Sequence, residues 1–303
     1  MKLQLETLGG ARWLRSDRAL IQLRSFADCR DEFCGPVFLL ASGPSAKEFR
    51  AKQHAPYPLM AMNGSILNCS EEGVEPLFYL CDDAGFARQR SDLALMGLHH
   101  AKHSAMSLEV MEALESARPG CLEGTSIYLL ERVNRFVGSK RLSDKAYAWS
   151  IRRDPDLFSR FSLFRSKKNR IGFSVNMEKG YFTARTIPYV GMQLACHLGF
   201  KRIYLVGVDL TPALGRCYDE GGQALPTTLG QDYEDYILPS FQLAATWALP
   251  QRGVQLFSLS DISRLPATLV PRVSQLRVAE DLTAVIDKDI AAGLSAKARS
   301  VRR

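Results

Sequence analysis

The chain has 303 residues, 46% of them hydrophobic and 23% charged, and its 39 Lys and Arg against 32 Asp and Glu leave a formal charge of +7. This balance excludes a disordered, collagen-like or disulfide-dense chain, and the length suffices for a large core without a metal or disulfide staple. One α/β domain with decoration fits as well as two domains.

Short apolar runs alternate with helical patterns, which predicts an α/β fold: a mostly parallel, Rossmann-like sheet flanked by helices. Residues 1–35 read as an N-terminal extension, and the body of the fold spans 36–275. Its first strand, 36–41, ends at Ser42-Gly43-Pro44-Ser45, with a helix predicted from about Ser45. The second, 58–62, ends at Asn63-Gly64-Ser65. The third, 76–81, ends at Asp82-Asp83 and leads into a helix over about 85–97. Weaker strands lie near 103–107 and 125–130. From about 135 to 180 the chain is basic and aromatic with no steady period, which predicts an insertion or lid, helical in part. Ile187, Val190, Leu194 and Leu198 then recur at helical spacing, predicting a helix over 186–197 with Gly199 as its stop. A buried strand follows over 202–210, a turn-rich loop over 211–230, a helix at about 232–249 and a strand at 254–259. Residues 276–303 read as a basic tail with an amphipathic C-terminal helix over 276–300.

In an open parallel sheet the ligand sits outside the carboxyl ends of the strands. The clusters at those ends are therefore the candidates for chemistry. Gly43 lets the backbone approach an anion, and the N–H groups of the following turn can hold phosphate, although this is neither a Walker loop nor GxGxxG. Asn63 can bond a base or ribose edge. Asp82 and Asp83 can supply a general base or a metal ligand; the plainer reading is a helix N-cap. Asp209, in Gly207-Val208-Asp209-Leu210-Thr211, is either a ligand contact or a structural carboxylate. Tyr218 can donate to a phosphate, with Asp219 or Glu220 beside it as a proton acceptor; the plainer reading is a solvated loop.

Residues 151–185 hold nine basic against three acidic residues, and the closing KARSVRR adds four bases and no acid. Such clusters suit phosphates, nucleic acid or an anionic membrane surface, and equally a solvated face. The seven cysteines form no C-x-x-C and several lie in apolar runs, as reduced buried thiols do. No Cys/His spacing suits zinc, and no G-x-S-x-G starts a serine triad. His197 lies late in its helix and reads as structural. The start MKLQLETLGGARWLRS lacks a signal-peptide apolar region, and no apolar run reaches the length of a membrane span. The expected location is the cytoplasm, with peripheral contact to the inner face of the inner membrane.

The glycine-proline-serine turn, the asparagine after the next strand and LGFKRIYLVGVDL after a Thr-led helix resemble the bacterial sialyltransferase family of Campylobacter type. A closer likeness is to the lipopolysaccharide-core 3-deoxy-D-manno-octulosonic acid (Kdo) transferases of WaaZ type. It rests on Asn63-Gly64-Ser65, Asp83 with Gln89-Arg90 and Asp92, and Gly180-Tyr181 ahead of Thr186. Asp209-Leu210-Thr211, Tyr218-Asp219-Glu220, Leu238-Pro239 and Leu259-Ser260 complete it, over about 37–270.

The resemblance implies a GT-A-like single Rossmann-type domain. It implies an inverting glycosyltransferase that moves Kdo from CMP-Kdo to an anionic inner-core lipid A acceptor. Donor contacts would come from Ser42, Gly43, Pro44, Ser45, Asn63, Gly64, Ser65, Thr186, Gly207, Asp209 and Thr211. Arg90, Arg185 and Arg216 would meet the acceptor and phosphate, and Tyr218 the departing phosphate. Metal is not essential in the sialyltransferases, so no cofactor is required, Mg²⁺ being at most a stimulant. Those enzymes place a histidine base in the region that here reads LGQDYEDYILPSF, and this chain has no histidine after His197. A carboxylate must replace it, Asp83 first and Asp232 second. CMP-sialate is an alternative donor. A pterin or nucleotide diphosphokinase would instead use ATP and Mg²⁺ on Asp82, Asp83 and Asp209. A non-catalytic nucleic-acid module would leave the strand-end crevice unexplained, so nucleic acid is not an expected partner.

Overall fold

The computed structural model describes residues 2–211, 213, 215–218 and 229–278. An antiparallel meander opens the chain: β1 (Gln4–Leu8), β2 (Ala11–Arg15) and β3 (Leu20–Gln22). The sequence reading left these residues as an extension without strands. They pack Leu3, Leu14, Ile21 and Leu23 into the same apolar cluster as one face of the central sheet.

That sheet has seven strands: β4 (Pro36–Leu40), β5 (Leu59–Met62), β6 (Phe78–Cys81), β7 (His103–Met106) and β8 (Ile127–Leu129), then β11 (Arg202–Val206) and β12 (Gln255–Ser258). Between β8 and β11 the chain forms a small hairpin of β9 (Leu157–Ser159) and β10 (Gly172–Ser174). The order across the main sheet is β12-β11-β4-β5-β6-β7-β8, with every pair parallel. The expected Rossmann-like fold is the observed one. Val37-Phe38-Leu39-Leu40 and Ile203-Tyr204-Leu205-Val206 are buried on both faces, which is why these strands read as unbroken apolar runs. Two apolar clusters, one on each side of the sheet, form the core.

The helices depart from expectation where local chemistry intervenes. After β4 a 3₁₀ turn, Pro44–Glu48, replaces the predicted helix. The helix predicted over 85–97 breaks at Arg90. Behind α1 (Ile66–Glu71) it appears as α2 (Ala84–Gln89) and α3 (Ser91–His100). Then come α4 (Leu108–Ala117), α5 (Asp144–Ser150) within the basic insertion, and α6 (Ile187–Leu198). Gly199 ends α6 at φ 102°, the left-handed stop its position predicts. The strand expected to run to residue 210 stops at Val206, because Gly207 turns away at φ 67°.

The last long helix runs as α7 (Leu229–Asp232), α8 (Leu238–Leu243) and α9 (Leu249–Gln251), joined by π turns at Tyr233–Ile237 and Ala244–Ala248. Leu238 and Leu249 each donate five residues back, and Pro239 and Pro250 follow them. A proline has no N–H for the i−4 carbonyl, and the ladder widens to π geometry beside it. The predicted helix over 276–300 is described only to residue 278. The rest of it, with the basic tail, lies outside the described residues. Among the described residues no helix is long and apolar enough to cross a membrane.

Candidate functional site

β4 and β11 are neighbours in the sheet, yet the chain leaves them toward opposite edges. Such a switch point opens a crevice outside the carboxyl ends of the strands. A cavity of about 1030 Å³ lies there. Its walls include Ser42, Gly43 and Pro44 after β4, Asn63 after β5, Asp82 and Asp83 after β6, and Gly207, Asp209 and Thr211 after β11. Arg185, Thr186 and Arg216 complete the part anticipated from sequence.

Gly43 and Gly207 bring the two strand ends into contact. The Gly43 N–H donates to the Gly207 carbonyl at 2.9 Å, and a Cβ on Gly43 would stand 2.4 Å from that oxygen. Asp209 is 1% exposed and accepts from the Ser45 N–H at 2.9 Å, the Ser45 hydroxyl at 2.5 Å and the Ser260 hydroxyl. It is the structural carboxylate of the two readings. These bonds also correct the expectation for the turn: the N–H groups of Gly43 and Ser45 are consumed internally and are not offered to a phosphate. Ser42 remains, beside the Arg216 guanidinium at 3.4 Å.

The Asn63-Gly64-Ser65 turn divides. Asn63 lines the cavity in the left-handed region, at φ 50°, and its buried Oδ1 has no hydrogen-bond partner among the described residues. Gly64 lies behind it under the Tyr218 ring, where a Cβ would come within 2.0 Å of ring carbon. Ser65 is fully buried, donating to the Leu40 carbonyl at 2.5 Å and accepting from the Met62 N–H at 2.9 Å. Gly64 and Ser65 therefore shape the turn and do not reach the cavity.

Asp83 caps α2, its Oδ1 accepting from Gly85 N at 2.8 Å and Phe86 N at 3.1 Å. Asp82 pairs with Arg132 at 2.9 Å, and Arg132 also donates to the Tyr181 hydroxyl at 3.3 Å. Burial works against the Arg132 charge, but Asp82 and Tyr181 hold its pKa above the usual value. Before α6, Ala184 at φ 42° and Arg185 at φ 61° carry the chain to Thr186, whose side chain makes no capping bond. Arg185 stands 3.7 Å from Asp232 and 5.0 Å over the Tyr236 ring.

Besides Ser45, Gly64 and Ser65, three more expected residues are not on the cavity wall. Asp232 is buried behind Arg185. Arg90 is held by Asp92 at 2.9 Å and lies 5.5 Å over the Tyr218 ring. Tyr218 itself is buried against Gly64, with Arg216 6.0 Å from its ring. Asp219 and Glu220 lie outside the described residues. His197 is structural: its Nδ1 accepts from Met177 N at 3.2 Å and its Nε2 faces the Phe26 carbonyl at 2.7 Å.

Sequence reasoning missed Ser107 and Glu109, at the end of β7, and Arg132, Arg135 and Arg170, all on the wall. The strand-end rule applied to the two weaker strands would have found Ser107, Glu109 and Arg132. Asp82, Asp83 and Asp209 do not form a ligand set; among the described residues no three metal-ligating side chains come together.

Residues 22–276 match the family described as WaaZ_KDO_III, 3-deoxy-D-manno-octulosonic acid transferase WaaZ. The chain belongs to this family. As a WaaZ-type protein it is a glycosyltransferase of lipopolysaccharide core biosynthesis, the class its motifs predicted. It is 25% identical over 260 residues to the "Probable 3-deoxy-manno-octulosonic acid transferase" of Escherichia coli (strain K12), covering 84% of this chain and 86% of that one. The Salmonella typhimurium protein of the same name is 24% identical over 264 residues, covering 87% and 93%. Among solved structures, the MAf glycosyltransferase from Magnetospirillum magneticum AMB-1 superposes with a TM-score of 0.44 and 16% identity, over 79% of this chain and 33% of that one. The sialyltransferase CstII from Campylobacter jejuni, in complex with the substrate analogue cytidine-5′-monophosphate, gives 0.39 and 13%, over 78% and 83%.

Proposed function

We propose that this WaaZ-type protein transfers Kdo from CMP-Kdo to an anionic inner-core lipid A acceptor, with inversion at the anomeric carbon. The observation that carries the reading is Asn63. A buried amide oxygen without a partner is costly. Held on the wall of the strand-end crevice, it matches a donor such as the exocyclic amine of cytosine. The phosphate would lie between Arg216, Arg185 and the N-terminus of α6, where cations and helix N–H groups favour negative charge. The acceptor hydroxyl attacks the anomeric carbon, a carboxylate takes its proton, and the bond to the phosphate oxygen breaks with its electron pair leaving on CMP. CMP needs charge stabilisation to depart, not a metal, so no cofactor is required.

The basic insertion supplies a membrane contact for a protein acting in the cytoplasm. Leu163 and Phe164 are 60% and 94% exposed at the tip of a loop that also carries Arg160, Arg165, Lys167 and Lys168. Apolar tips among basic side chains suit an anionic bilayer surface. Asn169, on the cavity wall, closes the base of this loop by bonding both Ser162 N, at 2.7 Å, and Ser162 O, at 2.9 Å. A docked tip would therefore hold the cavity close to the lipid.

The test is thermal melting with CMP and, separately, with ATP and Mg²⁺. A ligand at 100 times its Kd stabilises by about 2.7 kcal/mol, roughly 4–5 °C for a chain of this size. A shift with CMP alone is expected. A shift only with ATP and Mg²⁺ would overturn the reading in favour of a kinase. CMP-Kdo and CMP-sialate, offered separately as donors, then distinguish the sugar.

A further inference from the structure

With no histidine after His197, the sequence put the general base on a carboxylate, Asp83 first and Asp232 second. Among the described residues six carboxylates line the cavity, and their partners separate them. Asp82 is paired with Arg132, and Asp144 with Arg170 at 2.6 Å and Arg141 at 3.4 Å. Glu131 holds the Arg12 guanidinium and accepts from Val137 N at 2.8 Å. Asp209 binds Ser45 and Ser260, and Asp83 spends Oδ1 on the cap of α2. Glu109 is exposed on the cavity wall, in the first turn of α4, and makes no hydrogen bond or ion pair with any described residue.

A second observation lies two residues earlier. Ser107 occupies the N-cap of α4 but makes no side-chain cap bond. It is 4% exposed, it lines the same cavity, and its buried Oγ has no hydrogen-bond partner among the described residues. A serine at an N-cap ordinarily satisfies a helix N–H. Here the hydroxyl is left for something else, next to a carboxylate left for something else.

The placement fits an acceptor. Asn63 follows β5 and Ser107 follows β7, two strands away, so their strand ends are roughly 10 Å apart. That gap leaves room for the sugar of a nucleotide seated at Asn63, with its reacting carbon toward α4.

We propose that the first turn of α4 is the acceptor site: Ser107 binds a sugar hydroxyl of the acceptor, and Glu109 is the catalytic base. This rests on the CMP-Kdo reading above. The Glu109 carboxylate takes the proton of the acceptor alcohol as the alcohol oxygen bonds to the anomeric carbon. The bond from that carbon to the phosphate oxygen breaks, and its electron pair leaves with CMP. Carboxylate and alcohol become carboxylic acid and glycoside, and the charge passes to the phosphate.

The experiment uses the full chain with CMP-Kdo and a Kdo-bearing lipid A acceptor, beside a separate CMP titration. Glu109→Gln should bind CMP and melt as the parent does, lose about 10²- to 10⁴-fold in kcat, the range for a general base, and lose the acidic limb of the pH–rate profile. Glu109→Asp should restore part of both. Ser107→Ala should raise the acceptor KM while leaving CMP affinity unchanged. Parent-like kcat in Glu109→Gln, with CMP still bound, would overturn the assignment alone. A parent protein that fails to bind CMP would overturn the donor reading itself, and the assignment with it.

Discussion

Asp209 holds Ser45 twice, taking its N–H at 2.9 Å and its hydroxyl at 2.5 Å. The bond ties the loop after β11 to the turn after β4, so the strand-end crevice and the fold share one clamp. Asp209→Ala leaves the buried Ser260, the half-buried Ser45 and a backbone N–H without their acceptor. It should cost about 3 kcal/mol, near 5 °C in melting temperature. Melting of the variant checks this, and a parent-like Tm would remove Asp209 from the framework.

Asn63 should behave in the opposite way. Its φ of 50° suits glycine, and its Oδ1 has no native partner to lose. Asn63→Gly is expected to melt at or above the parent temperature while losing about tenfold in CMP affinity, or 1.4 kcal/mol. Calorimetric titration with CMP reads the second effect, and undiminished affinity would take the amide out of the pocket.

Tyr218 changes role in the structure. Packed against Gly64 and off the cavity wall, it supports the Asn63 turn from behind. Tyr218→Phe should keep kcat within about twofold, whereas Tyr218→Ala should destabilise by about 3 kcal/mol through the cavity it opens. A large fall in kcat for the phenylalanine variant would restore the hydroxyl to the chemistry.

Acid should weaken the protein before its carboxylates titrate. Burial holds His54, His99, His103 and His197 below the ordinary value of 6.5. A base depressed in this way stays neutral in the native state while the unfolded chain takes up a proton. The stability is therefore fully present above pH 6.5 and is lost as the pH falls below it. Melting temperature should fall between pH 7.5 and 5.5, and the slope should be shallower in His197→Gln. A flat profile would contradict the burial of these rings.

The exposed tip should decide membrane contact. Sedimentation with vesicles containing anionic phospholipid is expected to retain the parent protein and release the Leu163→Asp, Phe164→Asp double variant, with CMP affinity intact. Equal retention of both would move the contact elsewhere on the basic surface.

The sheet was readable because strands buried on both faces are continuous apolar runs, as 37–40 and 203–206 are. The strand-end rule found Asn63 for the same reason. What could not be read was which polar groups are already taken. Ser45 and Asp209 looked like ligand contacts until they were found on each other, 164 residues apart in sequence. Asp83 showed its capping position locally, whereas the pairing of Asp82 with Arg132 depends on β6 and β8 reaching the same end of the sheet. The meander of β1–β3 escaped because its strands are half exposed and its contacts are distant. Tyr218 escaped because a turn-rich sequence says nothing of a ring buried over Gly64.

The switch point between β4 and β11 also sets when the crevice can exist. β4 to β8 are neighbours in chain order, but the wall opposite Ser42 and Gly43 comes from residues beyond 206. Closing so long a loop is slow and rewards the chain only at the end. During synthesis the residues of the insertion and of five strands of the sheet therefore emerge before those of the crevice's second wall. A formed crevice therefore reports that β11 has joined β4.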